Sequence, residues 1–587
     1  MLPTRNKRAR KAVSQEEASY ETSIETETHA SIFTPLDVAT REIRLLTLHP
    51  ARSSSESLSM ELAVVAMDNA PAFAAISYSW GDERITISVH GFDVEIPVDL
   101  CGALRHLRDD QAIRLIWADS ICINQRDIEE RNNQVPLMGE LYGLAEAVWI
   151  WLGNDEEQLA GLAFRTLTTV AATKSRSWKK ALSDSEQLDS LQWLFNRPWF
   201  SRLWIVQELA MAGHRANYLC GSQSLKHTTE LRDIFDAIHV SGLLPDLELD
   251  VARQQNLEET IVNYAEVVDT IKHVRDEHHE TGVLRLLDVC RTRKCANKQD
   301  HVYGLLGLFD AELRLVVDYR KQALEVFTDF AKAYITKTRS LAILYYTGVI
   351  PQDVTVQELR YPSWVPNWTL ERGLHRTPEG WMLQAACWNA SLHVPGDAKV
   401  DGKGLRLPGL RHTTVAEVGP TTRNTSRTLT PEPALLLTKW RDFLQTSPEN
   451  FWRIIRCDTE EIPRSWLRRR MRPSDCKKLE AIFGPDSKRA YEYNPHLACS
   501  MPLRTTSGAS GQASRLVEVG DDVVILAGSN NPWIVRQVED GRHNHYRLVG
   551  PCYVLGIMDG EAVTRAMVSS KRAAGKPEDV FEDFVIV

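Results

Sequence analysis

A chain of 587 residues is too long for one hydrophobic core and leads us to expect two to four domains. Its 43% hydrophobic and 25% charged content are those of a globular protein, and a net charge of -9 offers no field for nucleic acid or anionic lipid. No apolar run is long enough for a membrane helix, the polar N-terminus is unlike a signal peptide, and the ten cysteines show neither a CxxC pair nor zinc spacing, so we expect an intracellular protein of the cytoplasm or nucleus with reduced thiols, without metal, cofactor, membrane or nucleic-acid partner.

Residues 1–33 are polar and read as a disordered tail, basic in RNKRARK and acidic afterwards. The basic run is a candidate for nuclear import, although such runs are more often solvated tails. Residues 34–224 then alternate strand and helix. REIRLLTL and MELAVVAM form an expected antiparallel entry pair, FAAISYSW a strand ending at Gly81, and RITISV with FDVEIPV a hairpin around His90-Gly91. A helix is expected over 98–108, followed by the buried strand RLIWADSICI and a helix with Val135, Met138, Tyr142 and Ala145 on one face. AVWIWLG and RANYLCG are further buried strands, with helices between them. This alternation predicts an α/β fold with a mainly parallel sheet. In such sheets ligands bind beyond the carboxyl ends of the strands, which draws attention to Gly81, Asp82, Asp119, Cys122, Asn124, Gln125 and Asn154.

Residues 225–345 read as helical, with Leu324, Phe327, Ala331 and Tyr334 on one face and the glycine-punctuated connector DHVYGLLGLF before them. Residues 346–587 pass from mixed α/β to a β-rich end, interrupted by the polar linker TTRNTSRTLTPEP, with a hairpin turn expected at Asp540-Gly541. There is no internal repeat, P-loop, dinucleotide fingerprint, HExxH or GxSxG motif. DEHHE has the wrong spacing for one helical face and reads as a solvated surface.

One stretch, RLWIVQELAMA, places Glu208 on an otherwise buried helix, one turn from Trp204. The bland reading is a residue paired with Arg202; the sharper one is a carboxylate in a site. AISYSWGD, IWADSICINQRDIEERNNQVPLMGELYGLAEAVWIWLG and RPWFSRLWIVQELAMA together resemble, in order and spacing, the three conserved blocks of the heterokaryon-incompatibility (HET) domain of filamentous fungi, over residues 72–213. RTRKCANKQDHVYGLLGL, VVDYRKQALEVF, PSWVPNW and VGPCYVLGIMDGEAV resemble stretches that follow that domain. Pro136 and Asn367 depart from the usual residues, outside the polar signature.

The resemblance implies a role in allorecognition and programmed cell death, with a protein partner and a candidate homo-oligomer. HET domains are distant relatives of Toll/interleukin-1 receptor (TIR) domains, which have a flavodoxin-like sheet and some of which hydrolyse NAD+ through one glutamate. Their pattern Trp-Cys-x-x-Glu-Leu is similar to Trp204-Ile205-Val206-Gln207-Glu208-Leu209, with Ile205 in place of the cysteine. It implies Glu208 as the catalytic residue of a candidate NAD+ glycohydrolase. Tyr78, Trp80, Gly81, Asp82, Asp119, Asn124 and Trp204 would then bind substrate, NAD+ itself, with no separate cofactor. The alternative is a non-enzymatic death-signalling module acting by self-assembly and partner binding.

Overall fold

The computed structural model describes residues 32–53, 56–172, 185–227, 264, 267, 268, 270, 271, 280–347, 361–370, 385–420, 432–461, 468–484, 500–538, 544–569 and 576–587. The tail up to residue 31, DEHHE apart from Glu280, most of the polar linker and the Asp540-Gly541 turn lie outside them. The chain divides into two units. The first comprises Met1–His279, Arg293–Phe309 and Arg314–Lys321, and the second Glu280–Thr292, Asp310–Leu313 and Gln322–Val587. Among the described residues no helix is long and apolar enough to cross a membrane.

The first unit is built on a nine-stranded mixed sheet. Its strands are β1 (Glu42–Leu48), β2 (Met60–Ala66), β3 (Ala74–Ser77), β4 (Arg84–Val89), β5 (Phe92–Pro97), β6 (Arg114–Trp117), β7 (Ala147–Trp151), β8 (Ala216–Cys220) and β9 (Gln223–Lys226). They lie in the order β5-β4-β2-β1-β6-β3-β7-β8-β9. At the centre β6, β3, β7 and β8 pair in parallel. Numbered by appearance these four run 2-1-3-4, the flavodoxin-like order. Parallel pairing is concentrated there, because the margins are made by the antiparallel pairs β1–β2, β4–β5 and β8–β9. Within the β4–β5 hairpin, His90 and Gly91 both have positive φ, 52° and 80°, as a two-residue turn requires.

The helices are α1 (Val98–Leu107), α2 (Asp119–Cys122), α3 (Ile128–Gln134), α4 (Met138–Leu144), α5 (Ala160–Ala172), α6 (Ser185–Phe195) and α7 (Ile205–Ala212). Two expectations are refined. RLIWADSICI is a strand only as far as Trp117, after which Asp119–Cys122 winds into one helical turn. Pro136 lies in a 3-10 turn, Val135–Leu137, that separates α3 from α4, since proline has no N–H to donate in a helix interior. The helix carrying Glu208 begins at Ile205, with Arg202 before it in a parallel bridge with Lys294. Helix α7 is buried almost all round and stops at Gly213, whose φ of 54° a side chain would strain.

In the second unit the strands are β10 (Lys399–Asp401), β11 (Gly404–Val418), β12 (Thr459–Glu461), β13 (Arg468–Arg470), β14 (Ser500–Thr505), β15 (Ser510–Ser514), β16 (Asp522–Leu526), β17 (Trp533–Gln537), β18 (His545–Val554) and β19 (Glu582–Ile586). The path β11-β14-β15-β18-β17-β16 returns to β11, so six antiparallel strands close a barrel. β11 closes it by bulging between Arg411 and Thr413 and between Val415 and Glu417, passing from β16 to β14. A core of Val415, Leu503, Ala513, Val523, Ile525, Ile534 and Val554 packs here, while Trp440, Phe451, Trp452 and Trp388 form a second core with the helices of residues 432–484.

One buried ion pair ties the entry strand to the rest of the first sheet. Arg44 on β1, 1% exposed, donates to both carboxylate oxygens of Glu130 at 2.5 and 2.9 Å and to the Cys122 carbonyl at 3.1 Å. Arg44→Ala leaves Glu130 without this partner and is expected to destabilise the first unit by about 3–5 kcal/mol. Urea unfolding followed by tryptophan fluorescence, with a lowered first midpoint, is the check.

Candidate functional site

Four segments converge beyond the carboxyl ends of β3 and β6: residues 79–84 after β3, residues 119–125 after β6, residues 198–204 before α7, and residues 294–300. With Arg131, Val135, Met138 and Tyr319 they enclose a cavity of about 720 Å³, within the size range of small-molecule sites. Trp80, Gly81, Asp82, Asp119, Gln125, Arg202 and Trp204 line it. Residues 152–154 after β7 do not, and there Arg197 donates to the Asn154 carbonyl at 2.9 Å.

Asp119 is the best-held group of the cavity wall. It begins α2 and is 8% exposed. The Tyr78 hydroxyl donates to its Oδ1 at 2.7 Å and the Trp80 indole N–H to the same oxygen at 3.2 Å. Gln125 donates to its carbonyl at 2.8 Å. Burial raises the Asp119 carboxyl above its usual range, against the opposing pull of Arg202 and of the Tyr78 and Trp80 donors. Tyr78 itself lies beneath the wall, fully buried, and its phenol is raised by burial and by Asp119. Trp80 stands at the wall with 38% exposure, an open indole face in a cavity.

Glu208 is one layer deeper. It is 1% exposed and does not line the cavity. Its Oε2 accepts the Ser77 hydroxyl proton, and Ser77 Oγ accepts the Trp199 indole N–H at 2.6 Å. Burial pushes the Glu208 carboxyl up to about 7, opposed by Arg202, with Asp119 adding to the rise and Ser77 opposing it. Arg202 therefore serves both carboxyls, and its guanidinium also donates to the Tyr78 carbonyl. Asn124 turns away from ligand space: its side chain accepts the Arg126 N–H at 3.3 Å and its own N–H donates to Glu130 at 2.6 Å. Cys122 is fully buried, and burial pushes its thiol up to about 12.

Sequence reading missed the far wall. Asp300 accepts the Tyr319 hydroxyl at 2.8 Å and the Trp204 indole N–H at 3.4 Å, and burial raises it to about 6. Arg131 lies 4.1 Å over the Tyr319 ring. In the sequence Asp300 looks like a helix-starting aspartate, and nothing local links it to Trp204, 96 positions earlier. Among the described residues no three histidine, cysteine, aspartate or glutamate side chains gather as a metal ion would require.

The α/β unit with its cavity and the β-barrel that follows each overlap a family match. Residues 73–208 match the heterokaryon incompatibility protein (HET) family, and residues 478–570 match the Het-6 β-barrel domain. The chain is similar to heterokaryon incompatibility protein 6, OR allele, of Neurospora crassa, with 27% identity across 89% of this chain and 95% of that protein. No solved structure matches.

The raised Glu208 pKa has a signed consequence. Between its ordinary 4.5 and about 7 the folded chain keeps a proton that the unfolded chain has released. Stability is therefore expected to fall as pH rises through that window and to level off above it. Asp300, raised to about 6, adds a fall of the same sign. Glu208→Gln keeps a neutral partner for Ser77, so its thermal midpoint should decline less between pH 5 and pH 8. Parallel curves for the two proteins would contradict the assignment.

Proposed function

We propose that this chain acts in fungal allorecognition and promotes cell death, and that its HET domain does so as an NAD+ glycohydrolase working in the cavity beyond β3 and β6. One observation carries this reading: a carboxyl group, aromatic faces and cationic side chains meet in a single enclosure of about 720 Å³. Each has a use in that chemistry. Cleaving the ribose–nicotinamide bond develops positive charge on the ribose, which a nearby carboxylate stabilises and whose hydroxyls it orients. Nicotinamide leaves as a neutral molecule, so its departure needs no strong acid. Trp80 and Trp204 offer ring faces, and Asp119 is the carboxylate that meets the ligand in this reading.

Glu208 acts from behind the wall. Its Oε2 accepts the Ser77 hydroxyl at the end of β3, and its charge competes with Asp119 for Arg202. Neutral Glu208 leaves Arg202 to oppose the burial that raises the Asp119 carboxyl. This is a positioning role, in keeping with its burial.

The second reading, a non-enzymatic death-signalling module that self-assembles and binds a protein partner, is favoured by a specific feature as well. Glu208 sits in the sealed, hydrogen-bonded environment of a structural carboxyl.

Induced expression in fungal cells separates the two readings, with protein levels matched and NAD+ and viability followed in time. Wild type should lower NAD+ before viability falls. Asp119→Asn should slow that loss by about 10²-fold or more, the scale of losing a transition-state charge partner, and Glu208→Gln should slow it less. Death at constant NAD+ with all three proteins would move the function to the second reading.

A further inference from the structure

The cavity mouth holds more positive charge than its buried carboxyls use. Four cationic residues line it: Arg84, Arg131, Arg202 and Lys294. Arg202 is engaged with the Tyr78 carbonyl and sits in the field of Asp119 and Glu208. Arg131 lies over Tyr319 and stabilises the ionised form of Asp300. Arg84 and Lys294 are both exposed, and among the described residues neither is joined to a carboxylate.

Both are nevertheless fixed in place. One guanidinium nitrogen of Arg84 donates to the Gly81 carbonyl at 3.0 Å, which holds the side chain against the loop after β3 and leaves its other donors open. Lys294 lies in a segment stitched to the start of α7: its N–H donates to the Ser201 carbonyl at 2.8 Å, and its carbonyl accepts the Leu203 N–H at 2.9 Å. The bridge between Arg202 and Lys294 is part of the same stitch. Two cations with anchored backbones, on two segments lining one cavity that also presents Trp80 and Trp204, suit an anion attached to a planar ring.

We propose that Arg84 and Lys294 form a phosphate-binding pair at this mouth, so that the cavity selects a phosphate or diphosphate ester bearing a planar ring over a neutral ring compound. The inference rests on the ligand reading given above and adds the groups that would recognise the ligand's charge. Asp82, exposed on the same loop, opposes an anion there and limits the affinity.

Isothermal titration calorimetry of the purified full chain tests this with ADP-ribose, inorganic pyrophosphate and adenosine as probes. ADP-ribose should bind best, at least about tenfold tighter than adenosine, and more weakly as salt rises. Arg84→Ala and Lys294→Ala should each weaken ADP-ribose by about tenfold while leaving adenosine unchanged. Lys294→Arg should keep most of the affinity, and Asp82→Asn should raise it. Circular dichroism confirms that the variants are folded.

Adenosine binding as tightly as ADP-ribose, alanine variants that match wild type, or pyrophosphate matching ADP-ribose would each overturn the proposal, as would a wild-type protein that binds none of the probes. Its failure is separable from that of the glycohydrolase reading. ADP-ribose binding without NAD+ cleavage keeps the phosphate pair and removes the reaction. Cleavage that Arg84→Ala and Lys294→Ala leave unchanged does the reverse.

Discussion

Two carboxyl groups are buried under the carboxyl ends of β3 and β6, and Arg202 is the cation whose charge opposes the rise of both. Burying a carboxylate without a partner costs several kcal/mol, so each such group must either keep its proton or meet a charge and donors. Here both carboxyls are raised by burial and differ in their donors. Asp119 takes the Tyr78 and Trp80 donors, whereas Glu208 takes one hydroxyl, from Ser77, and its carboxyl is raised to about 7. The backbone of Arg202 is held in the bridge to Lys294, just ahead of α7, and its guanidinium donates to the Tyr78 carbonyl past the end of β3.

That bridge also explains why the site needs more chain than the HET match of residues 73–208. Lys294 to Asp300, with Tyr319, supply the far wall. They are held by contacts of backbone closeness: Gly139 and Gly307 approach so nearly that a Cβ on Gly139 would meet the Gly307 Cα at 3.0 Å, and the Gly307 N–H donates to Gln207 at 2.7 Å. Gln207 is the neighbour of Glu208 on α7. The helix carrying the buried carboxyl is thus clamped on one side by β3 through Ser77 and on the other by this returning segment.

The second unit solves a different problem. An open antiparallel sheet of this size would leave long edges, and β11 removes them by pairing with β16 along its middle and with β14 at its end. β19 covers the first part of β11. Its interior is filled by aliphatic side chains, which is the composition of a packed core.

The periodicity of apolar residues was sufficient for the α/β class, the β1–β2 pair, the hairpin at His90-Gly91, the buried strands β3, β7 and β8, and a β-rich C-terminal part. Each of these depends on neighbours in sequence or on burial of a strand's faces, which composition records. The residues just past β3 and β6 were also legible, because strand ends of a parallel sheet are where ligands bind. Tertiary structure alone decided which of them face the cavity. Asp119 stands on its wall while Glu208 is enclosed behind it, a difference of layer that no spacing encodes. It alone joined Asp300 to Trp204 and Lys294 to Arg202, and closed β11 on β16, since pairing across tens to hundreds of residues is set by the packing of the whole unit and leaves no local pattern.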